Sequence, residues 1–105
     1  MKSLTLVAFF AVALLLAQNM PLGPDSQVQP GVPKGVVTRL TLPPGKIYPG
    51  TPHNYATYVP AQYNASKPIA FMIFLDGLGA LGGPRVPTVF DNLIAKGEIP
   101  PMIGI

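Results

Sequence analysis

Apolar and polar residues alternate along two stretches of the chain, and a two-residue period is typical of strands with one buried face. The first stretch is Val36–Leu42, VVTRLTL, and it is ended by two prolines and a glycine. The second is NYATYVP at 54–60, which is closed by its own proline. The two predicted strands could pair as neighbours.

A third stretch, IAFMIFL at 69–75, is apolar at every position. A continuous apolar run of this length predicts a strand that is covered on both faces of its sheet. It stops at DGLGALGG, 76–83, where half of the residues are glycine. The predicted strand therefore ends in a loop that carries few side chains.

The residues after this loop have the period of an amphipathic helix. Apolar side chains recur at i, i+3, i+4, i+7 and i+8, at Val86, Val89, Phe90, Leu93 and Ile94. Pro87 suits the first turn, and we expect Thr88 and Asp91 to form a capping pair. Gly97 favours a left-handed stop. A last apolar stretch, 102–105, predicts another strand.

The predicted order is β-β-β-α-β over residues 36–105, which indicates an α/β fold. One helix can cover only one face of a sheet that contains a strand buried on both faces. We therefore expect an incomplete sheet, the N-terminal part of a larger α/β protein. The alternative is a complete, small secreted domain.

The N-terminus has the features of an export signal. Lys2 is followed by an apolar run at 4–17 that only Thr5 interrupts. A bilayer crossing takes about 20 residues, so this run fits a cleaved signal peptide at 1–17 better than an uncleaved anchor or a core helix. Residues 18–35, rich in Pro, Gly and polar residues, predict a flexible leader. We expect an exported protein, periplasmic or extracellular, without a stable membrane span after cleavage.

Composition excludes several classes of function. The chain has 105 residues, 49% of them hydrophobic, and no cysteine, so its stability has to come from a core rather than from disulfides. Its Lys and Arg residues are scattered singly, which does not favour a nucleic-acid partner. No group of His, Cys or acidic residues has the spacing of metal ligands, and we expect neither a metal nor a cofactor.

The glycine loop is open to more than one interpretation. A phosphate-binding P-loop needs Lys-Ser or Lys-Thr after its last glycine, and neither occurs here. Gly77, Gly79 and Gly82 satisfy the dinucleotide pattern G-x-G-x-x-G literally, but Gly83 and Pro84 interrupt the helix that should start at once. A simple hairpin is the plain alternative.

A third interpretation is that the loop presents backbone N–H groups to a substrate. In α/β-hydrolases one donor of the oxyanion hole comes from the loop between the third strand and the first helix. Glycines let such a backbone approach the substrate closely. Leu78, directly after Asp76 and Gly77, is the best candidate for this donor.

Two blocks of sequence resemble a known family: YVPAQYNASKPIAFMIFLDG at 58–77 and RVPTVFDNLIAKGEIPPMIGI at 85–105. They are similar to the N-terminal part of enterochelin esterase-like and feruloyl-esterase-type esterases, which are α/β-hydrolases related to the antigen-85 mycolyltransferases. The resemblance covers 36–105. It implies a serine esterase acting on small-molecule or carbohydrate esters, with the backbone N–H of Leu78 in the oxyanion hole.

The same resemblance places further residues in the substrate loop: Asp76, Gly77, Gly79 and Arg85. The Asp76 side chain is expected to shape the loop or meet substrate rather than to act as the triad acid. Arg85 could contact an anionic group of the substrate or be merely solvated. Tyr48, Tyr55, Tyr58 and Tyr63 could form a sugar- or aryl-binding patch, or pack half-buried in strands.

The sequence departs from the family in its catalytic residues. A nucleophile elbow, G-x-S-x-G, is absent, and the three serines, Ser3, Ser26 and Ser66, lack the flanking glycines. His53 is the single histidine and precedes the third predicted strand, whereas the triad histidine comes last in this fold. We expect residues 1–105 to be inactive alone. Acyl transfer on the same fold and a non-catalytic exported binding module are the alternatives to ester hydrolysis.

Overall fold

The computed structural model describes residues 21–105, and the predicted signal peptide and residues 18–20 lie outside this range. The strands are β1 (Val36–Leu42), β2 (His53–Val59), β3 (Ala70–Met72) and β4 (Met102–Gly104), and the helix is α1 (Val86–Ala95). Two 3₁₀ turns, Pro24–Ser26 and Gly77–Leu81, complete the regular structure. The predicted order β-β-β-α-β is confirmed.

The hairpin of β1 and β2 forms as the alternating pattern predicts. The two strands are antiparallel and pair along their whole length, from Val36 opposite Val59 to Leu42 opposite His53. Every residue of β1 is exposed to solvent, whereas the second half of β2 is covered. The hairpin therefore contributes to the core mainly through β2.

The sheet is mixed and has the strand order β1-β2-β4-β3. β4 lies in the middle, antiparallel to β2 and parallel to β3. Two parallel strands need a crossover connection, and α1 lies within it, as is usual in α/β folds. The small mixed sheet with one helix is compatible with part of an α/β fold.

β3 differs from its prediction. The strand covers only 70–72, although Phe74 N–H donates to Ile105 O at 2.7 Å and extends the pairing with the chain after β4. Burial on both faces is wrong for the described residues, because Phe71 is 66% exposed and Leu75 96%. Phe71, Ile73 and Leu75 stand at alternate positions and are exposed, so this face of the run lacks a covering layer.

The core lies between α1 and the sheet. Tyr58, Phe90 and Ile94 are its buried centre, and the rings of Tyr58 and Phe90 meet edge to face at 5.6 Å. The partly buried side chains around them are Phe74, Val86, Ile99 and Met102. The predicted apolar face of α1 is thus the face that contacts the sheet.

The C-terminal end of α1 agrees with its prediction, and the N-terminal end does not. Gly97 has φ 74° and ends the helix in the left-handed region, as predicted. The capping pair is wrong: the residue before the helix is Arg85, with φ 51°, and no side chain caps the N-terminus. The helix begins at Val86, so Thr88 lies inside it, and Asp91 Oδ1 accepts instead from Tyr58 Oη and Gly35 N–H.

Candidate functional site

The loop after β3 turns back on itself directly after Asp76. Asp76 is the residue before the 3₁₀ turn Gly77–Leu81, and its carbonyl oxygen accepts from Gly79 N–H at 3.3 Å. Gly77 has φ 59°, in the left-handed region where a side chain would be strained. Glycine at 77 therefore allows the chain to reverse immediately after the strand.

The N–H groups around Leu78 differ in their hydrogen bonding. Gly77 N–H donates to Phe74 O at 3.1 Å, and Gly79 N–H to Asp76 O. Between them, Leu78 N–H donates to no backbone carbonyl of residues 21–105. The first N–H groups of a helical turn lack partners within the turn, and such groups are suited to bind anions or other acceptors.

The turn is held in place on its inner side. Ala80 is buried, and Leu78 and Leu81 are half-buried. A small apolar cavity of about 30 Å³ lies beneath the turn, with Tyr58, Phe74 and Val86 among the residues that line it. Small-molecule pockets usually measure about 300–1,000 Å³, so this cavity does not accommodate a substrate.

A larger cavity of about 280 Å³ lies at the opposite end of β3 and β4. Its lining includes Gln62, Lys67, Ala70 and Pro101, which are at or before the start of the two parallel strands. Ligands of open α/β sheets bind outside the carboxyl ends of the strands. The Leu78 loop is at that end, and this favours the loop over the larger cavity.

The remaining predicted substrate-loop residues are exposed. Asp76 makes no capping hydrogen bond through its side chain. A Cβ on Gly79 would meet no atom within 4 Å. Arg85 joins the loop to α1 through its backbone: its N–H donates to Gly82 O at 3.1 Å, and its carbonyl accepts from Val89 N–H at 3.0 Å.

Other candidates from the sequence are not brought together. His53 is the exposed first residue of β2, at the loop end of the hairpin opposite Leu42. Tyr48 is 70% exposed, whereas Tyr58 is buried with its hydroxyl bonded inside the fold. Tyr58 therefore belongs to the core and not to an exposed tyrosine patch.

Sequence reasoning missed a buried polar cluster behind the loop. Asp91 Oδ1 accepts from Tyr58 Oη at 2.7 Å and from Gly35 N–H at 2.8 Å. Burial, and then the hydrogen bond to Asp91, raise the pKa of Tyr58 well above its usual value. The neighbouring Asn92 is also buried. The sequence carried one signal of this cluster: Asp91 and Asn92 are polar residues of the predicted helix that lie between the apolar Phe90 and Leu93.

No helix among residues 21–105 combines the length and hydropathy required to cross a bilayer.

No protein-family model matches the sequence. The fold is similar to that of a serine-to-alanine mutant of the feruloyl esterase module from Clostridium thermocellum, complexed with sinapinate, with a TM-score of 0.59 and 16% identity. A second solved structure, of a protein named FAE, gives a TM-score of 0.59 and 17% identity. Each comparison covers 81% of this chain and 30% of the other.

The chain thus spans about a third of the length of these solved structures. At such low identity the likeness concerns the fold, and it agrees with the expected partial α/β architecture. The resemblance to feruloyl-type esterases is supported at the level of fold. The relation to enterochelin esterases and to antigen-85 mycolyltransferases stays a prediction.

Proposed function

We propose that this chain is the N-terminal part of an exported serine esterase of the α/β-hydrolase type, and that Leu78 N–H is one donor of its oxyanion hole. The observation that carries the proposal is the position of this N–H. It lies in the loop between β3 and α1, at the carboxyl end of a parallel strand pair, and no described backbone carbonyl accepts from it.

The fold supports this assignment. An oxyanion donor must be held in place before the reaction, because a preorganised N–H stabilises developing charge without having to reorient. Gly77 fixes the reversal of the chain and Ala80 anchors the turn, so the Leu78 N–H sits on a supported segment. The likeness to feruloyl esterase modules supports an esterase fold.

Hydrolysis would proceed by attack of a serine on the ester carbonyl. The tetrahedral oxyanion would accept hydrogen bonds from Leu78 N–H and from the N–H that follows the serine. The serine, the acid and the histidine would come from sequence beyond 105, since G-x-S-x-G does not occur within it. Residues 1–105 would supply one half of the oxyanion hole and no nucleophile.

The proposed substrates are acyl esters of small molecules or carbohydrates. The solved feruloyl esterase module is complexed with sinapinate. Asp76 and Arg85 are exposed beside the turn, where they could contact the leaving group or a charged part of the acyl group. Gly77 and Gly79 would leave the approach to the backbone open.

The test compares residues 1–105 with the full-length gene product. We expect residues 1–105 to hydrolyse nitrophenyl acetate no faster than buffer. The full-length protein should hydrolyse it and should be inactivated by a serine-directed fluorophosphonate. Hydrolysis by residues 1–105 above the buffer rate, or activity of the full-length protein that resists the fluorophosphonate, would contradict the proposal. A sugar acceptor that receives the acyl group would identify acyl transfer instead.

A further inference from the structure

The segment before β1 covers the polar face of α1. Asn92 is 2% exposed and is the largest fully buried side chain among residues 21–105. Its Nδ2 donates to Asp25 O at 2.8 Å and to Gln27 O at 2.9 Å. Both protons of the amide are therefore used, and both bind the main chain of residues that are more than 60 positions away.

Two further side chains of the helix bind the same segment. Asp91 Oδ1 accepts from Gly35 N–H at 2.8 Å, and the Lys96 ammonium pairs with the Asp25 carboxylate. The ion pair is exposed, and exposed pairs contribute little to stability. The recognition therefore rests mainly on Asp91 and Asn92, which bind backbone groups.

The segment has a defined shape of its own. Gln27 Nε2 donates to Leu22 O at 2.8 Å, and Gln29 Nε2 donates to Pro24 O at 2.9 Å. Together with the turn Pro24–Ser26, these bonds hold the backbone carbonyls in place.

The end of the segment is packed without space for a side chain. A Cβ on Gly35 would lie 2.4 Å from Tyr58 Cε2 and 2.6 Å from Val59 O. Such distances are far inside van der Waals contact, so the chain passes Tyr58 here only because residue 35 is glycine. The close approach also places Gly35 N–H against Asp91.

We propose that Asp91, Asn92 and Lys96 form a peptide-binding surface whose occupant is this chain's own segment 25–35, which we call the clasp. With the clasp docked, both amide protons of Asn92 have partners, so the burial of Asn92 leaves no polar group unsatisfied. The clasp belongs to the folded domain and is not a free leader. This proposal is independent of the esterase function.

Trypsin tests the docking within one chain. Lys34 lies at the end of the clasp and Lys46 in the loop between β1 and β2, and both side chains are exposed. Proteases cut a segment only after it has opened locally. In the unchanged 105-residue chain we expect cleavage after Lys34 to be at least about tenfold slower than cleavage after Lys46, in line with the loss of two or more hydrogen bonds on opening.

Asn92→Asp replaces the donating amide by an acceptor that faces two carbonyl oxygens. We expect it to speed cleavage after Lys34 by about tenfold or more and to leave cleavage after Lys46 unchanged. The matched control is Asn54→Asp, at an exposed position of β2, which should change neither rate. Equal cleavage at both lysines in the unchanged chain, or an unchanged Lys34 rate in Asn92→Asp, would overturn the proposal.

Amide hydrogen exchange decides the case if Asn92→Asp unfolds the whole chain. In the unchanged protein, the amide of Gly35 should exchange more slowly than that of Lys46, because Gly35 N–H donates to Asp91 of α1 in the docked clasp. Exchange of Gly35 as fast as that of Lys46 would overturn the proposal without any substitution.

Discussion

The hydroxyl of Tyr58 and the carboxylate of Asp91 are joined by a hydrogen bond of 2.7 Å, and this bond connects the sheet to the helix. Tyr58 lies on β2, opposite Gly104 of β4, so the bond joins α1 to the central strands of the sheet. The same carboxylate oxygen binds Gly35 N–H. One side chain of α1 thus holds a strand and the clasp together.

Replacing Tyr58 by Phe tests this connection. The ring keeps its contact with Phe90, but the hydroxyl is lost, and we expect the free energy of unfolding to fall by about 1–2 kcal/mol. Urea unfolding of the two chains measures the difference. Tyr55→Phe is the control, since Tyr55 is a half-buried tyrosine of the same strand and should change stability by less than about 0.5 kcal/mol. Equal losses in the two variants would contradict the account.

The raised pKa of Tyr58 predicts a loss of stability in alkaline solution. In the unfolded chain the phenol titrates at about pH 10, whereas in the folded chain burial and Asp91 keep it protonated at higher pH. The unfolded state therefore binds fewer protons above about pH 10, and the free energy of unfolding falls as the pH rises. Below that pH this contribution is fully present.

The measurement is urea unfolding at a series of alkaline pH values, with Tyr58→Phe as the comparison. Lys96, whose pKa is raised by its hydrogen bond to Asp25, adds a loss of the same sign, so the variant is needed to isolate Tyr58. We expect a shallower decline in the variant. Parallel declines in the two chains would show that Tyr58 does not cause the alkaline loss.

Gly35→Ala tests the close packing of the clasp against β2. The added methyl group would meet Tyr58 and the carbonyl of Val59, and we expect the overpacking to lower the free energy of unfolding by about 1–3 kcal/mol. Gly45→Ala is the matched control, because its Cβ would meet no atom within 4 Å. Thermal unfolding of both variants is the measurement, and a Gly35→Ala midpoint equal to that of Gly45→Ala would contradict the packing described.

Local pattern predicts much of this fold. The alternation of Val36–Leu42 gives β1 with the predicted bounds, and the helical period that begins at Val86 gives α1. The apolar run at 69–75 indicates a strand but not its place in the sheet. The exposure of Phe71, Ile73 and Leu75 depends on which elements pack on the sheet, and a local pattern carries no information on that.

The partners of the polar cluster could not be predicted for the same reason. Asp91 and Asn92 find their partners 33 to 67 positions away, in β2 and in the clasp. Asp91 fits a local capping pattern with Thr88, and this interpretation is wrong because the helix begins at Val86, before Thr88, and Asp91 bonds distant partners. The predicted flexibility of 18–35 stays a prediction, but its described part is docked on α1 by the Asn92 bonds.

The proposed oxyanion donor is a backbone N–H, and substitution by proline removes this group. Leu78 is not among the residues with positive φ, and its N–H donates to no described carbonyl that proline would deprive of a bond. Leu78→Pro removes the N–H, and because proline also restricts the backbone of Gly77, the fold of the variant is checked by urea unfolding. Leu78→Ala shortens the side chain and keeps the N–H, so it is the matched control.

The most direct test of the central claim is the kcat of these two variants in the full-length protein, with an aryl ester as substrate. We predict that Leu78→Pro lowers kcat by about 10²–10³ with little change in KM, the usual effect of losing one oxyanion donor, and that Leu78→Ala stays within a few-fold of the unchanged protein. Urea unfolding checks that both variants are folded. Equal kcat values for folded Leu78→Pro and Leu78→Ala would contradict the assignment of Leu78 to the oxyanion hole.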